Sequence, residues 1–327
     1  MKKWFPTCLA ALLSLLPLHA ERPAINDKRA PVGREDLEKI QGLLRSALPA
    51  ARAATVCIEL GQGSGSGVVI SKEGLILTAA HVTGGVGKKF TVRFEDGRKV
   101  EAESLGLNSE NDAAIAKIID EGTYPFVPID REDRTRLADW VFALGHSGGF
   151  DKDRGSVVRL GRLVRISDST YQSDCNLIGG DSGGPLFDLT GTLIGIHSRV
   201  GQRLPENMHV PISAFLESWD DMMGKEFIGE GPFAKKPRKG KGFLGLLAEE
   251  HEGDGVLVKK VGRESPAEVA GIRKGDVLLK MNGTDLSSFD DIKELLKELA
   301  PDDEVAFDIL RDGKPETITF NLGDRDS

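Results

Sequence analysis

Three short motifs in this sequence contain the residue types needed for catalysis by a serine nucleophile. The run Gly180–Gly184 places Ser182 among glycines, and a tight turn of this kind exposes the hydroxyl and lets backbone N–H groups converge on one point. A serine hydroxyl is a weak nucleophile alone and needs a neighbouring base. His81, directly after the strand-like run Leu77–Ala80, is the candidate base.

The third motif supplies an acid. Asp112 precedes the small apolar run Ala113–Ala116, and an acid at the start of a buried strand can fix the tautomer of a histidine and stabilise its imidazolium form. The chain order His81, Asp112, Ser182 is that of chymotrypsin-like enzymes and differs from that of subtilisins and α/β-hydrolases. Each motif alone also fits a structural role, as a strand end, a cap or a turn. The three in this order favour a catalytic triad.

Short strands must position these residues. Runs such as Phe90–Phe94 and Leu193–Ile196 are strand-like, and turn signals such as Lys72–Gly74 separate such runs. Glycine accounts for 39 of the 327 residues, a share well above the usual value of about 7%, and it shows no collagen-like period. Regular short strands with glycine turns predict a sandwich or a barrel.

The N-terminal part has a different pattern of apolar and polar residues. Residues 1–20 combine a basic start, an apolar run and a small-residue end, which predicts a cleaved export signal; the alternative is an uncleaved membrane anchor. In the N-terminal segment 21–54, apolar residues at helical spacing predict one amphipathic helix from Arg34 to Leu48, ended by Pro49.

A composition shift divides the remaining chain. Residues 226–241 are rich in Gly, Pro, Lys and Arg, a composition typical of linkers. We therefore expect a first domain over residues 55–225, a basic linker, and a second domain over residues 242–323.

Bulk composition excludes several classes of protein. A net charge of −8 argues against a nucleic-acid binder that works through a general phosphate-neutralising surface. Three cysteines are too few for a disulfide scaffold, and we expect Cys57 and Cys175 to be two buried thiols rather than a disulfide. No His, Cys or Asp cluster has metal-ligand spacing, so neither a metal nor another cofactor is expected.

The three motifs together resemble those of the HtrA/Deg family of exported serine proteases, which have a trypsin-like protease domain followed by one PDZ domain. The similarity runs from about Thr55 to Leu322, and includes the glycine-rich run Gly63–Val69 and the approach Gln172–Asp174 to the serine. The resemblance implies a mostly β protein: a chymotrypsin-like double β-barrel, with the triad between two six-stranded barrels, followed by a small α+β PDZ domain.

The resemblance also implies an oxyanion hole made by the backbone N–H groups of Gly180 and Ser182. Between them the chain departs from the family, because Asp181 stands where the family usually has Asn. An acid there matches digestive-type proteases, in which it accepts a freed N-terminal amine, but no activation-site pattern precedes this protease region. Asp181 therefore needs another donor. The candidates are four arginines, Arg154, Arg159, Arg162 and Arg165.

Four residues are candidates for the pocket that binds the side chain before the scissile bond. They are Asn176, Ile196, His197 and Ser198. An acid at the base of this pocket would select Lys or Arg, and Asn176 is neutral. The sequence therefore favours small or medium apolar side chains.

The C-terminal domain carries a peptide-binding motif. The run Phe243, Leu244, Gly245, Leu246 resembles the carboxylate-binding loop of PDZ domains, in which consecutive backbone N–H groups bind one anion. A C-terminal peptide would then add as a strand beside the following segment. The candidates for its apolar pocket are Ile292, Leu295 and Leu296, for which plain core packing is the alternative.

Two functions from different classes remain. The first is an exported serine endopeptidase, periplasmic or secreted, that cleaves unfolded or damaged proteins and whose PDZ domain binds C-terminal peptides. The second is a proteolytically silent chaperone or peptide-binding scaffold. Residues 21–54 contain no Phe, Tyr or Trp, so the aromatic contacts through which the family often trimerises are not expected, and homo-oligomer formation stays open.

Overall fold

The computed structural model describes residues 21–61, 63–200 and 206–325. The predicted export signal, residues 1–20, lies outside the described residues. The chain divides between Lys235 and Lys236 into two compact units. In the part of the chain that the structure describes, no helix is long and apolar enough to cross a membrane.

The first unit contains two closed antiparallel barrels. In the first barrel the strands follow the order β5-β4-β1-β2-β3-β6, and β6 pairs back with β5. Buried and exposed side chains alternate along β4, which is the pattern of a half-buried strand. The strands are β1 (Thr55–Leu60), β2 (Gly63–Val69), β3 (Leu75–Ala79), β4 (Lys89–Phe94), β5 (Lys99–Asn108) and β6 (Ala113–Ile118).

The second barrel closes in the order β10-β11-β12-β9-β8-β7, with β7 paired to β10. Its strands are β7 (Trp140–Gly145), β8 (Val157–Ser167), β9 (Thr170–Ser173), β10 (Pro185–Asp188), β11 (Leu193–Val200) and β12 (Asn207–Pro211). Together the two barrels confirm the predicted double-barrel fold.

One hydrophobic core joins the two barrels. It contains Leu77 and Ile115 from the first barrel, and Phe142, Phe187 and Ile196 from the second. Phe142 and Phe187 stack with their ring centroids 5.0 Å apart. This shared core fixes the junction between the barrels. The turn of Ser182 meets the end of β3 at this junction, since a Cβ on Gly183 would lie 3.2 Å from Ala79 N.

The N-terminal helix is longer than predicted. A 3₁₀ turn, Ala24–Asp27, precedes helix α1 (Arg34–Ala54), which continues past Pro49. Proline removes one helical hydrogen bond and normally ends or bends a helix. Here Ala51 and Ala54 are buried against the shared core. This tertiary packing offsets the lost hydrogen bond, and the helix continues to Ala54, directly before β1.

Three short α-helices belong to the described part of the first unit besides α1. Helix α2 (Ala80–Thr83) links β3 to the loop before β4. Helices α3 (Ile212–Glu217) and α4 (Trp219–Met223) follow β12 and meet at Ser218. Phe215 and Met222 are fully buried in the shared core.

The segment predicted as a linker begins inside the first unit. Strand β13 (Phe227–Ile228) pairs in parallel with β5, and the Gly231 N–H donates to Ser109 Oγ over 3.0 Å. Ala234 packs with Leu107 of the first barrel. The division between the two units thus falls within residues 226–241, and several residues before it contact the first barrel.

The second unit contains a six-stranded antiparallel sheet and two helices. The strand order is β15-β16-β17-β19-β20, with β18 beside β17, and β14 pairs separately with β21. Ser265 and Ser288 cap the two helices through their side chains. The elements are β14 (Gly242–Phe243), β15 (Leu246–Glu250), β16 (Val256–Val261), α5 (Pro266–Val269), β17 (Val277–Met281), β18 (Thr284–Asp285), α6 (Phe289–Lys297), β19 (Glu304–Arg311), β20 (Lys314–Asn321) and β21 (Gly323–Asp324).

The two cysteines of the first unit are buried and unpaired, Cys57 in β1 and Cys175 just after β9. Burial raises the pKa of each thiol to about 11. A thiol with so high a pKa is a poor nucleophile at neutral pH, which agrees with the expectation of two buried thiols.

Candidate active site

The candidate base stands where the third strand ends. His81 lies in the first turn of α2, and its Nδ1 is 2.9 Å from Asp112 Oδ2 and 3.0 Å from Oδ1. The His81 backbone N–H also donates to Asp112 Oδ1 over 3.0 Å. A carboxylate can only accept, so Nδ1 carries the proton and Nε2 is left as the acceptor.

The candidate acid is fully buried in the turn before β6. Asp112 has φ +65°, a left-handed conformation that Asp tolerates better than most residues. Its carbonyl accepts from Ala80 N, which ties this turn to the start of α2. Ser198 of β11 donates to Asp112 Oδ2 over 2.5 Å. The second barrel thus supplies a donor that holds an acid of the first barrel.

The candidate nucleophile lies on a turn that needs its glycines. Gly180 and Gly183 have φ +94° and +82°, and a Cβ on Gly183 would overlap the carbonyl oxygen of Ser66. Ser182 itself is half-buried. Among the described residues its Oγ has no hydrogen-bond partner, and this includes His81 Nε2; such catalytic bonds are often long before substrate binds.

The backbone around Ser182 leaves two N–H groups free. From Gly180 to Gly184, the other N–H groups donate to protein carbonyls: Asp181 N to Ile178 O, Gly183 N to His197 O, and Gly184 N to Asp181 O. Within the described residues, the N–H groups of Gly180 and Ser182 have no such acceptor. They are the two groups predicted to form the oxyanion hole.

Ser66 of β2 holds this turn from the other barrel. Its N–H donates to Ser182 O over 2.7 Å, its Oγ donates to Gly180 O over 2.8 Å, and its Oγ accepts from His146 N over 2.9 Å. Sequence reasoning did not single out Ser66, although it lies inside the glycine-rich run that carried part of the resemblance.

Asp181 finds its donor among the four arginines that the sequence offered. Arg159 Nη2 lies 2.9 Å from Asp181 Oδ2. Arg154 instead donates to the Ser147 carbonyl, and Arg162 donates to backbone carbonyls of the N-terminal segment. Arg165 is exposed.

The four predicted pocket residues are not brought together at one open surface. Asn176 is exposed, whereas Ile196, His197 and Ser198 are buried. Side chains alternate along a strand, so Ile196 and Ser198 share one face of β11. Ile196 joins the shared core and Ser198 reaches Asp112. The residue preference of the pocket stays a prediction.

His197 faces the other way and belongs to a buried hydrogen-bonded chain. Its Nε2 donates to Leu144 O over 3.1 Å, and its Nδ1 is 2.9 Å from His209 Nδ1. Ser173 Oγ lies 2.7 Å from His209 Nε2. Desolvation lowers the pKa of His197 well below its ordinary value, aided by His209, and lowers that of His209 to about 3. Both rings are therefore neutral, which fixes one donor at each contact: Ser173 to His209, and His209 to His197.

The predicted peptide site of the second unit is partly open. Leu244, Leu246, Ile292 and Leu296 lie in one core cluster, and Leu295 packs against it. Ile292 is fully buried, as its core-packing alternative requires, while Phe243 is 39% exposed.

The loop of this site leaves backbone donors unused. Gly245 has φ +78°, and a Cβ there would overlap Ser265. The carbonyls of Leu244 and Gly245 accept from Ala267 N and Gly262 N, but their own N–H groups donate to no other described residue. Strand β15 pairs with β16 on one side only in the described sheet, so its other edge is available for an added strand.

Residues 21–61, 63–200 and 206–325 contain no group of three or more His, Cys, Asp or Glu side chains arranged to hold a metal ion.

Two family models match this chain, one in each compact unit. A model of the trypsin-like peptidase domain matches residues 65–196, and a model of the PDZ domain matches residues 242–322. A protein of Ectopseudomonas mendocina named "Probable periplasmic serine endoprotease DegP-like" is 29% identical over 282 residues, which are 80% of this chain and 56% of that protein. The protein of the same name from Hahella chejuensis is 29% identical over 277 residues, 80% of this chain and 57% of its own length. The chain thus spans a little over half the length of these relatives.

Solved structures are also similar. The serine endoprotease from Yersinia pestis aligns with a TM-score of 0.49 and 26% identity, over 86% of this chain and 97% of that one. The HtrA-type protease AlgW, solved with a tripeptide, aligns with a TM-score of 0.49 and 25% identity, over 86% of this chain and 96% of its own.

The fold, the serine site and the two domain matches define a trypsin-like peptidase domain followed by a PDZ domain. The chain therefore contains the two domains that its resemblance to the HtrA/Deg proteases implied, and it is similar to proteins named as DegP-like serine endoproteases.

Proposed function

We propose that this chain is an exported serine endopeptidase that cleaves unfolded or damaged proteins through an acyl-enzyme on Ser182. One observation carries the proposal: in the turn of Ser182, the N–H groups of Gly180 and Ser182 are the two left without an acceptor among the described residues. The same turn lies at the junction where His81 is held by Asp112. A nucleophile, a base with a fixed tautomer and two converging donors are the parts that acyl transfer requires.

The first half of the reaction uses these parts in order. Ser182 Oγ attacks the scissile carbonyl carbon, while His81 Nε2 takes the hydroxyl proton. The carbonyl oxygen becomes an oxyanion, which accepts hydrogen bonds from Gly180 N and Ser182 N. Asp112 stabilises the imidazolium that forms. His81 then gives its proton to the leaving amine, and the acyl-enzyme remains.

The second half repeats the chemistry with water. His81 Nε2 takes a proton from the attacking water, the oxyanion forms again in the same hole, and Ser182 leaves with the proton returned by the histidine. Substrate and water are the reactants, and the proton that His81 takes in each half of the reaction is given up again within that half.

The finer parts of the proposal rest on the sequence and on the relatives. The signal-like residues 1–20 and the periplasmic naming of the relatives support export to the periplasm. Free N–H groups at Leu244 and Gly245 beside an open strand edge support binding of C-terminal peptides by the PDZ domain.

Hydrolysis of unfolded casein by the wild type and by Ser182→Ala tests the proposal. We expect cleavage by the wild type and none above background by the variant. If both proteins suppress aggregation of an unfolded substrate and neither cleaves it, the chain is a silent chaperone or scaffold instead.

A further inference from the structure

The residue next to the nucleophile is a fully buried acid with three donors. Asp181 Oδ1 accepts from Ser147 Oγ over 2.6 Å, and Oδ2 accepts from Ile178 N over 2.8 Å. Arg159 Nη2 lies 2.9 Å from Oδ2 and supplies the opposite charge. A buried carboxylate is costly unless it is both paired and hydrogen-bonded, and both conditions are met here.

Arg159 reaches this acid from within the barrel wall. It lies on β8, opposite Ala143 of β7, and its side chain is only 15% exposed. The same Nη2 also donates to Ser147 Oγ over 2.8 Å. Arg159, Ser147 and Asp181 therefore form a closed triangle of polar contacts. Its positive charge belongs to Arg159, which is fixed on a strand rather than on a loop.

This triangle is joined to the segment that orients the oxyanion donors. Arg154 Nη2 donates to Ser147 O over 2.6 Å, which braces the loop that follows β7. Gly148 N of that loop donates to Gly179 O over 2.7 Å. In a trans peptide the carbonyl and the next N–H point in opposite directions. With its carbonyl held by Gly148, the Gly179–Gly180 peptide must direct the Gly180 N–H away from the loop.

Close packing also restricts the movement of Gly180. A Cβ on Gly180 would lie 2.5 Å from His146 O and 2.6 Å from Gly148 N, so the turn is packed directly against the same loop. If the charge of Arg159 were lost, the buried Asp181 carboxylate could regain water only by moving this turn. Such a movement would rotate the Gly180 N–H out of line with Ser182 N.

We propose that Arg159 is a positioning residue, an internal counter-ion of Asp181 that holds the oxyanion turn in its working form, so that the protease domain needs no freed N-terminal amine. This inference rests on the proposed function. It assigns a role to a strand residue that does not touch substrate and acts through Asp181.

The test compares variants of the full chain without added peptide. Arg159→Gln leaves the buried carboxylate unpaired, Arg159→Lys keeps the charge, and Arg159→Gln combined with Asp181→Asn removes both charges. Arg165→Gln is the matched control, because Arg165 is an exposed arginine on the same strand. For each protein we would measure kcat and KM with fluorescein-labelled casein, the rate of labelling by a fluorophosphonate, and the circular dichroism spectrum.

We expect Arg159→Gln to lower kcat about tenfold or more, towards the roughly hundredfold loss that follows removal of one oxyanion-hole donor, with little change in KM. Arg159→Lys and the double variant should recover much of this loss, and Arg165→Gln should match the wild type. If Arg159 had only a structural role, Arg159→Gln would not lower kcat selectively. The addition of Asp181→Asn would then not restore kcat either.

Wild-type kcat in Arg159→Gln, or a double variant no better than Arg159→Gln, would overturn the inference while leaving the protease assignment intact. If Arg159→Gln does not fold, the double variant decides: folded and active supports the role, folded and inactive overturns it. A wild type that neither cleaves casein nor reacts with the fluorophosphonate would instead contradict the proposed function itself.

Discussion

Ser198 Oγ donates to Asp112 Oδ2 over 2.5 Å, and both residues are buried between the two barrels. The acid that orients His81 is therefore held by its own barrel through the turn before β6, and by the other barrel through Ser198. Because of this bond, the position of Asp112 in the site depends on how the two barrels are placed relative to each other.

Removal of the Ser198 hydroxyl should slow catalysis without weakening substrate binding. Hydrogen bonds to charged groups contribute roughly 1.5–3 kcal/mol, so we expect Ser198→Ala to lower kcat by about 10- to 150-fold and to leave KM nearly unchanged. Ser156→Ala is the matched control, since Ser156 is also buried but its hydroxyl has no partner among the described residues. Equal kcat values for the two variants would contradict this role of Ser198.

Much of this architecture could be predicted from the sequence, because the signals are local. Gly180 and Gly183 need backbone conformations that only glycine adopts easily. The short strands with glycine turns predicted a sandwich or a barrel, and the resemblance of the motifs to the HtrA/Deg family implied the pair of barrels. The role of Ser198 could not be predicted, since nothing local tells a pocket serine from one that bonds a residue 86 positions earlier. The length of α1 was missed because burial of Ala51 and Ala54 is a tertiary effect that overrides the local preference of Pro49.

Other polar residues of the site were missed for the same reason. Ser147 and His209 matter through partners on other strands or loops, and only the fold brings those partners together. His209 did leave a weak signal, as a histidine between the apolar residues Met208 and Val210 of a short strand. The sequence offered four arginines as partners of Asp181 and could not distinguish them. The register of β8, which places Arg159 opposite Ala143 of β7, brings Arg159 to Asp181.

The triad residues should act as a unit. We expect Ser182→Ala and His81→Ala each to lower hydrolysis by about 10⁶ or to background, and the double variant to lose little more. Asp112→Asn should cost about 10⁴ because it favours the wrong histidine tautomer. Casein hydrolysis, with circular dichroism to confirm folding, is the measurement. Substantial turnover by Ser182→Ala would show that the nucleophile is another residue.

The buried histidine pair predicts a loss of stability in acid. The pKa of His209 is lowered to about 3 by desolvation, whereas in the unfolded chain histidine titrates near 6.5. The unfolded state therefore binds more protons, and the free energy of unfolding should fall as the pH drops from about 6.5 towards 3, by up to about 1.4 kcal/mol per pH unit for each such histidine.

Urea unfolding between pH 7.5 and 4.5 measures this slope. The His209→Gln variant should be less stable than the wild type at pH 7.5, since it breaks the chain from Ser173 to Leu144, but its stability should depend less on pH. His251→Gln is the control, because His251 is exposed. A variant His209→Gln with the slope of the wild type would show that this histidine is not the cause.

The PDZ loop should require a free carboxylate on its ligand. The N–H groups of Leu244 and Gly245 are fixed by the backbone, so amidation of a bound peptide should cost more than about 1 kcal/mol, in line with hydrogen bonds to charged groups. Titration calorimetry of free-acid and amidated forms of one peptide into full-length Ser182→Ala, which cannot cleave them, checks this. Equal affinities would remove the argument for carboxylate binding.

The most direct test of the central claim is labelling of the full chain by a fluorophosphonate, with the modified residue located by mass spectrometry. We predict a single adduct on Ser182 in the folded wild type, and no adduct in Ser182→Ala, in His81→Ala or in the denatured protein. Failure of the folded wild type to react, an adduct on another residue, or labelling of His81→Ala at the wild-type rate would contradict the account.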